Sequence, residues 1–321
     1  MLASIEECCR SLLDNSLAVL PTETVYGLAA NALSTNAVKK VYELKGRPRQ
    51  NPLIVHVLDS TWADKIAVPN HLFHKLTDRF WPGPLTLILK SKAIIPKITS
   101  GGLNTVALRS PSCEPFRKCL EQTRLYLAAP SANLSNRISP TCVRHVISNF
   151  GAKTPPTFDG GAARYGIEST VLDISSKKIK LLRHGPIGLT EIEEFLNQPI
   201  FSHNLLVKEK LRAPGTSTIH YSPVSPLMVY KSFQDLQSSS DLSESVIILP
   251  HELLKIRGNT KNVIYLSENG NSQDISRNLF AAFHEADRKN SKEIKCCLLN
   301  PKDDLCHAIN DRIKRAGTII D

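Results

Sequence analysis

Short apolar runs alternate with helical patterns over most of the chain. In its first part, strands are predicted at the apolar runs 17–20, 53–57, 85–90, 106–108 and 125–129. The spacing of apolar residues at 34–44 predicts a helix. Strands with so few polar positions are buried on both faces, so helices should cover the sheet on both sides. The pattern predicts an α/β domain with a twisted sheet over residues 1–201.

A second alternation follows after residue 224. Strands are predicted at the apolar runs 227–230, 246–249 and 263–266. Helices are predicted from about residue 273, where apolar residues recur every three to four positions, and over 303–316. The intervening segment 202–224 has no such periodicity and contains two prolines, so we interpret it as an ordered linker. The remaining residues, 225–321, form a smaller α/β domain.

The composition is that of an ordinary soluble globular protein. The chain has 321 residues, of which 41% are hydrophobic and 22% charged, and no apolar run has the length of a membrane span. Its first residues include acidic side chains where a secretory signal would be basic, so we expect a cytoplasmic protein without a membrane partner. The eight cysteines include no C-x-x-C pair, and we expect no zinc site.

Positive charge is concentrated in the first domain. Residues 1–201 hold 24 Lys and Arg against 16 Asp and Glu, which accounts for +8 of the net charge of +10. A basic surface favours anionic partners, either nucleotide phosphates or an RNA backbone, although a merely soluble basic face has the same composition.

Candidate chemistry lies at the ends of the first strands. The segment PTETVYGL (21–28) follows a strand, and Lys45, Arg47 and Arg49 follow the helix, between a glycine and a proline. Three cations at a place where the backbone can approach a ligand closely suit a polyphosphate.

The pattern KGRPxxNPLIVH (45–56), together with PTETVYGL, resembles the YrdC/Sua5 family of threonylcarbamoyladenylate synthases. Further family-like segments occur in the same order along the chain: FWPGPLTLIL (80–89), TVALRSP (105–111), APSANLSNRISPT (129–141), ESTVLD (168–173) and LLRHGPI (181–187). The resemblance covers roughly residues 1–200. The smaller domain resembles the Rossmann-like C-terminal domain that distinguishes two-domain Sua5 proteins from the single-domain YrdC type.

The resemblance implies an enzyme that makes threonylcarbamoyl-AMP and pyrophosphate from L-threonine, bicarbonate and ATP. Mg²⁺ is expected on the ATP phosphates, with protein ligands that the sequence does not identify. The product would pass to the transferase machinery that forms t6A, a modified adenosine beside the anticodon of certain tRNAs. Whether tRNA contacts this protein directly is left open.

The resemblance also assigns residues to each substrate. It implies Lys45 and Arg47 as catalytic cations. ATP would meet Arg47, Asn51, Thr105, Ser131, Ser139, Arg183 and Tyr221. Threonine would meet Thr24, His56, Arg109, Ala129 and Ser169. Each of these also has a plainer interpretation, such as a capping hydroxyl, a solvated arginine or a histidine bonded to backbone.

Two of these assignments carry a structural expectation. Ser139 and Pro140 have the residue types of a helix N-cap and first turn, so a helix should begin there and offer its N–H groups to an anion. Tyr221, in HYSP, would belong to a lid that closes over ATP. The linker sequence at 216–219 departs from the family pattern, which leaves the lid contacts in doubt.

Two other classes of protein remain to be compared. A noncatalytic RNA- or nucleotide-binding module would use the basic domain as a groove, but aromatic residues make up only 6% of the chain. A YrdC-like domain also occurs in carbamoyltransferases that mature hydrogenases. Those proteins carry an acylphosphatase domain and paired C-x-x-C motifs, and neither is found here.

Overall fold

The computed structural model describes residues 2–202, 220–240, 242–256 and 262–320. Most of the predicted linker, including the divergent positions 216–219, lies outside the described residues. The described part of the chain forms two sheets with helices packed on them.

The first sheet has ten strands. They are β1 (Ala18–Leu20), β2 (Gly27–Asn31), β3 (Ile54–His56), β4 (Ala67–Val68), β5 (Leu85–Ser91), β6 (Thr105–Arg109), β7 (Leu127–Ala128), β8 (Thr170–Asp173), β9 (Lys180–Arg183) and β10 (Phe201–Ser202). The order is β1-β2-β7-β3-β6-β5-β8-β9-β10, with β4 beside β5. Parallel and antiparallel pairs are mixed; β3 runs parallel to β6, for example, whereas β7 runs antiparallel to β3.

Seven α-helices belong to this part of the chain: α1 (Ile5–Leu13), α2 (Thr35–Lys45), α3 (Ser60–Ile66), α4 (His71–Phe80), α5 (Glu114–Thr123), α6 (Val143–Phe150) and α7 (Leu189–Leu196). A 3₁₀ turn, Gly151–Lys153, follows α6. Helices α2, α3, α4 and α7 contribute to one large apolar core with the sheet, and α1 and α5 contribute to a second. Helices therefore pack on the sheet in two separate cores, as the apolar strands predict.

The second sheet has five strands: β11 (Leu227–Tyr230), β12 (Val246–Leu249), β13 (Val263–Tyr265), β14 (Ile294–Cys297) and β15 (Thr318–Ile320). All its pairs are parallel, in the order β13-β12-β14-β11-β15. Its helices are α8 (Phe233–Gln237), α9 (Ser272–Arg288) and α10 (Asp304–Ala316), with a 3₁₀ turn at Leu242–Glu244. This is the Rossmann-like α/β arrangement that was expected, although α8, β14 and β15 were not predicted.

The second domain packs against the first through an apolar cluster. Val25, Ile138 and Ile167 of the first domain share this cluster with α9 and α10 residues such as Phe280 and Ile309. Polar contacts accompany it, since Ser276 Oγ donates a hydrogen bond of 2.7 Å to the carbonyl of Tyr165. Gly166, at φ +72°, lies so close to Arg277 that a β-carbon would meet its backbone oxygen at 2.5 Å.

Candidate active site

Strand ends and loops of the first domain meet the end of the linker at a cavity of about 50 Å³. It is lined by residues of strands β3, β6 and β9, by residues that precede β2 and β8, by residues that follow α2 and β7, and by the end of the linker. They are Thr24, Val25, Arg47, Ile54, His56, Arg109, Ala129, Pro130, Ser131, Glu168, Arg183, His220 and Tyr221. Most of the residues predicted to bind ATP or threonine are therefore gathered in one place.

Arg47 reaches this cavity because α2 ends abruptly in front of it. Ser34 caps the start of the helix, and Gly46 ends it in a left-handed conformation at φ +61°. The Arg47 guanidinium then donates to the carbonyls of Asn51 (3.3 Å) and Pro52 (3.1 Å). Burial lowers the pKa of Arg47 to about 10, so the side chain remains charged at neutral pH.

The three cations of the KGRPR segment do not converge. Lys45 is buried, and its ammonium donates to the carbonyls of Ser131 and Asn133, both at 2.5 Å. Burial, with a smaller contribution from Arg47, holds the pKa of Lys45 well below its usual range. Arg49 is exposed and lies 4.0 Å from Glu43. The prediction of three crowded cations is wrong, because Arg49 lies at the surface, while Lys45 and Arg47 lie near the cavity.

On one side of the cavity, Arg109 is held within the first domain. Its guanidinium lies 2.7 Å from the Glu23 carboxylate, donates to Thr24 Oγ1 at 2.9 Å and to the carbonyl of Gly83 at 3.3 Å. Arg109 and Glu23 are both buried and form an ion pair. Arg109 is thus fixed before any substrate binds.

His56 stands beside Arg109 at the end of β3. Its ring packs on Phe116 with 4.9 Å between the ring centres. Burial, with a smaller contribution from Arg109, lowers the pKa of His56 to about 3. The imidazole is therefore neutral at physiological pH and adds no charge to the cavity.

On the other side, Ser169 holds Arg183. Arg183 donates through Nε to the Ser169 carbonyl (2.9 Å) and through Nη2 to the Ser169 hydroxyl (3.0 Å). That hydroxyl also shares a hydrogen bond of 2.7 Å with Thr86 Oγ1. Ser169 is fully buried and does not line the cavity, so it supports an arginine that does.

Glu168 is a cavity residue that sequence reasoning missed. Ser139 donates its hydroxyl to one carboxylate oxygen at 2.6 Å, and Arg312 of α10 donates to the other at 3.1 Å. Burial alone would raise the pKa of Glu168, but Arg312, Arg183 and the Ser139 hydroxyl outweigh it and lower the pKa. Glu168 is therefore an ionised carboxylate inside a cationic cavity.

Tyr221 closes the cavity at the end of the linker. Its fully buried ring packs on Phe280, 5.2 Å away, and faces the Arg312 guanidinium at 5.6 Å. The Tyr221 hydroxyl finds no hydrogen-bond partner among the described residues. Burial raises the pKa of Tyr221 to about 12, so the hydroxyl keeps its proton.

Known proteins match this chain over nearly its whole length. A family model described as "Telomere recombination", that of the Sua5, YciO and YrdC proteins, matches residues 10–185, and one described as "Threonylcarbamoyl-AMP synthase, C-terminal domain" matches 187–318. This chain belongs to the Sua5 family. The family and the α/β fold predicted from the sequence are thereby confirmed.

Individual Sua5 relatives agree with that membership. The threonylcarbamoyl-AMP synthase of Pyrococcus abyssi is 38% identical over 286 residues, which cover 86% of this chain and 83% of that protein. The enzyme of the same name from Bacillus subtilis is 43% identical over 70% of this chain and 66% of its own length. The crystal structure of Pyrococcus abyssi Sua5 complexed with L-threonine superimposes with a TM-score of 0.89 at 33% identity, covering 99% of this chain and 96% of that one.

Some residues that the Sua5 resemblance assigned do not line the cavity. Lys45, Asn51, Thr105, Ser139 and Ser169 are absent from its lining. Thr105 begins β6, whereas Arg109 ends it, so the two are about 13 Å apart along the strand. Asn51 offers its carbonyl to Tyr42 and Arg47. Whether these residues touch substrate stays a prediction.

The predicted helix at Ser139 is wrong, because α6 begins only at Val143 with Cys142 as its N-cap. The carbonyl of Pro140 accepts the N–H of Tyr26 at 2.9 Å, and residues 138–140 belong to no helix or strand. Ser139 instead supports Glu168, and no helix N-terminus reaches the cavity from this segment.

His220 is a second lining residue that sequence reasoning missed, although its neighbour Tyr221 in the HYSP segment was predicted. Burial lowers the pKa of His220 to about 3, so it too is neutral.

Within the described residues, no three His, Cys, Asp or Glu side chains gather as they would around a metal ion. No described helix combines the length and apolar character needed to cross a bilayer.

Proposed function

We propose that this protein synthesises L-threonylcarbamoyl-AMP from L-threonine, bicarbonate and ATP and releases pyrophosphate. The observation that carries the proposal is the convergence of three arginines on one cavity in a chain of the Sua5 family: Arg109 and Arg183, which are buried, and Arg47, which is half-buried. Relatives with this domain pair bear the name of the activity, and one was crystallised with L-threonine.

The reaction brings several anions together. The amine of threonine combines with bicarbonate to give a carbamate and water, and a carbamate oxygen then attacks the α-phosphorus of ATP. The bond from that phosphorus to the bridging oxygen breaks, and pyrophosphate leaves. At 4 Å and an effective dielectric constant of 20, each pair of like charges costs roughly 4 kcal/mol. Fixed arginines lower this cost, so the protein contributes charge neutralisation and orientation rather than a nucleophile.

We assign the two substrates to opposite sides of the cavity. The threonine side consists of Thr24, His56 and Arg109, and the Arg109 fork suits the α-carboxylate. The nucleotide side consists of Arg47, Glu168, Arg183 and Tyr221. Lys45, whose ammonium lies on two carbonyls, would act by holding the loop at 131–133 rather than by touching phosphate.

Mg²⁺ would arrive with ATP, bound by phosphate oxygens and retained water. Glu168 is the sole carboxylate among the described residues that line the cavity, and both of its oxygens already accept hydrogen bonds. The protein would therefore add few ligands of its own to the ion.

Entry of ATP requires the cavity to open. Pockets for ligands of this size usually measure roughly 300–1,000 Å³, and this one measures about 50 Å³. Tyr221 and His220 form part of its lining, so we propose that their segment is the lid that moves. A closed lid would also keep water from the mixed anhydride that forms. Such a labile product suits direct transfer to the machinery that modifies tRNA.

Pyrophosphate release from ATP tests this function, with threonine and bicarbonate each added or withheld. The wild-type protein should need all three substrates, and Arg47→Ala should lose most of the activity. Turnover that ignores bicarbonate would contradict the mechanism. If ATP is not consumed at all, a noncatalytic RNA- or nucleotide-binding role becomes the better proposal.

A further inference from the structure

The second domain places one buried arginine against the catalytic cavity. Arg312, in the middle of α10, has no exposed surface. Its guanidinium donates to the Glu168 carboxylate (3.1 Å), to the Glu168 carbonyl (3.3 Å) and to the His184 carbonyl (2.7 Å). A carboxylate of its own helix, Asp311, accepts a further hydrogen bond at 3.2 Å. Most of its hydrogen bonds thus go to the other domain.

These contacts clamp the two segments that carry the nucleotide side. Glu168 precedes Ser169, which holds Arg183, and His184 follows Arg183. Gly185 lies against the same backbone, since a β-carbon there would meet the Thr170 nitrogen at 2.3 Å and the Glu168 oxygen at 2.7 Å. A single guanidinium therefore fixes the position of both segments.

We infer that Arg312 is a positioning residue of the active site, supplied by the second domain, which neutralises Glu168 and so keeps Arg183 directed at the phosphates. This inference rests on the function proposed above. It also gives the second domain a task in the reaction, because without that domain Glu168 would lack its main cationic partner.

Without Arg312, the buried charge of Glu168 would keep only one arginine partner. Arg183 and Arg312 are the two arginines that act on its buried charge. An uncompensated carboxylate in a cavity of low dielectric would attract the remaining one, Arg183, and pull it from Ser169. Displacement of a binding group by about 1 Å can reduce a reaction rate roughly 100-fold.

Steady-state kinetics of pyrophosphate release can test this with four variants. Arg312→Met should lower kcat/KM for ATP about 100-fold, while KM for threonine changes much less. Arg312→Lys should recover part of the loss, since it restores the charge without the fork. Arg312→Met combined with Glu168→Gln should be more active than Arg312→Met alone, because the carboxylate that attracts Arg183 has been neutralised.

Arg315→Met is the matched control. Arg315 lies on the same helix, is also buried and pairs with the same Asp311 at 2.9 Å. The Arg315→Met protein should be less stable than the wild type but should have the same kinetic constants. Equal kinetic losses in Arg312→Met and Arg315→Met, or no rescue by Glu168→Gln, would overturn the inference and leave Arg312 as a stabilising contact between domains.

Hydrogen exchange supplies a readout that does not depend on activity. Amides of segment 166–186 should exchange faster in Arg312→Met than in Arg315→Met or the wild type. If the wild-type protein releases no pyrophosphate, the proposed function fails, and this comparison alone decides whether Arg312 positions the segment. Unchanged exchange in Arg312→Met would reject the positioning role.

Discussion

On the threonine side of the cavity, Arg109 ends β6 and pairs with Glu23 of the same domain, whereas on the nucleotide side Glu168 pairs with Arg312 of the other domain. Both pairs are buried arginine–glutamate pairs at the edge of the same cavity. In the first, the arginine lines the cavity and the glutamate stands behind it; in the second, the roles are exchanged.

This exchange teaches how each side becomes ordered. The threonine side needs only the first sheet, because β3 and β6 are neighbouring strands and place His56 opposite Arg109. The nucleotide side needs the second domain to be docked, since Arg312 and the ring partner of Tyr221, Phe280, both come from it. The threonine site should therefore tolerate disturbance of the domain interface better than the nucleotide site.

Arg109→Met should give the largest effect and confine it to the threonine side. In the proposed complex, Arg109 pairs with the α-carboxylate of threonine. Loss of one partner of a buried, hydrogen-bonded charge pair costs about 2–5 kcal/mol in binding, so kcat/KM for threonine should fall about 100- to 1,000-fold. KM for ATP should change less than about threefold. Titration of each substrate at saturation of the other measures the two effects separately.

Arg117→Met provides the control for Arg109. Arg117 donates to the Leu58 carbonyl and to the Ser110 hydroxyl close to the same strand, but it does not line the cavity. Its KM for threonine should match that of the wild type. An equal rise in the KM for ATP in Arg109→Met would mean that the two sides are not separate.

Lys45→Met should weaken both sides together. The Lys45 ammonium holds the carbonyls of Ser131 and Asn133, and Ala129 to Ser131 line the cavity between the two sides. The Asn133 carbonyl would lose its donor, whereas the Ser131 carbonyl would keep the N–H of Asn133. One carbonyl left without a donor costs about 1–3 kcal/mol of stability, and both KM values should rise about tenfold. Urea unfolding and the same kinetics measure this.

Lys40→Met is the comparison for Lys45, because the Lys40 ammonium also donates to a backbone carbonyl, that of Asn15, but from the exposed surface of the same helix. It should leave stability and both KM values close to those of the wild type. A rise in the KM for ATP alone in Lys45→Met would support the original prediction that Lys45 contacts phosphate.

Local sequence signals were sufficient for several strands and for helix α2. The helix at 34–44 and the strand at 53–57 follow from apolar patterns, whereas the cavity residues Arg47, His56 and Arg109 were assigned by the resemblance to the Sua5 family. The side chain of Lys45 shows the limit of such local signals. Its motif resembles a phosphate-binding segment, yet the direction of its side chain depends on the position of a loop 86 residues away.

Contacts between distant segments could not be predicted from spacing. Glu168 and Arg312 are separated by 144 positions and belong to different domains. Arg312 lies within an amphipathic helix, where an arginine is ordinarily solvated. Strand β14 was missed because Lys295 interrupts its apolar run, although this lysine is buried and bonded to the Ser240 carbonyl.

Acid should destabilise the protein through histidines on both sides of the cavity. Burial lowers the pKa of His56 and of His220 to about 3, and the unfolded value is about 6.5. As the pH falls, the unfolded chain therefore binds protons on these histidines before the folded protein does. The stability that the two neutral histidines contribute is fully present above pH 6.5 and is lost as the pH falls toward 3. Each histidine contributes a slope of up to about 1.4 kcal/mol per pH unit.

Urea unfolding of His56→Gln and His220→Gln between pH 7 and pH 4.5 separates the two contributions. Each variant should have a shallower pH dependence than the wild type. His145 and His284, stacked on each other with pKa values lowered chiefly by burial, account for part of the remaining slope. A variant with the wild-type slope would show that the histidine it replaces is not buried in its neutral form.

Tyr221→Phe should give the smallest effect and one of opposite sign for stability and function. The buried Tyr221 hydroxyl has no partner among the described residues, so its removal should stabilise the protein by about 1 kcal/mol. ATP would supply the missing partner, and the KM for ATP should rise about threefold with no change in the KM for threonine.

Tyr26→Phe is the control for a buried hydroxyl that has partners. The Tyr26 hydroxyl bonds to Gly161 and Gly160, so its loss should destabilise the protein. Equal destabilisation by the two substitutions would mean that the Tyr221 hydroxyl is already satisfied and that the nucleotide side is complete without ATP.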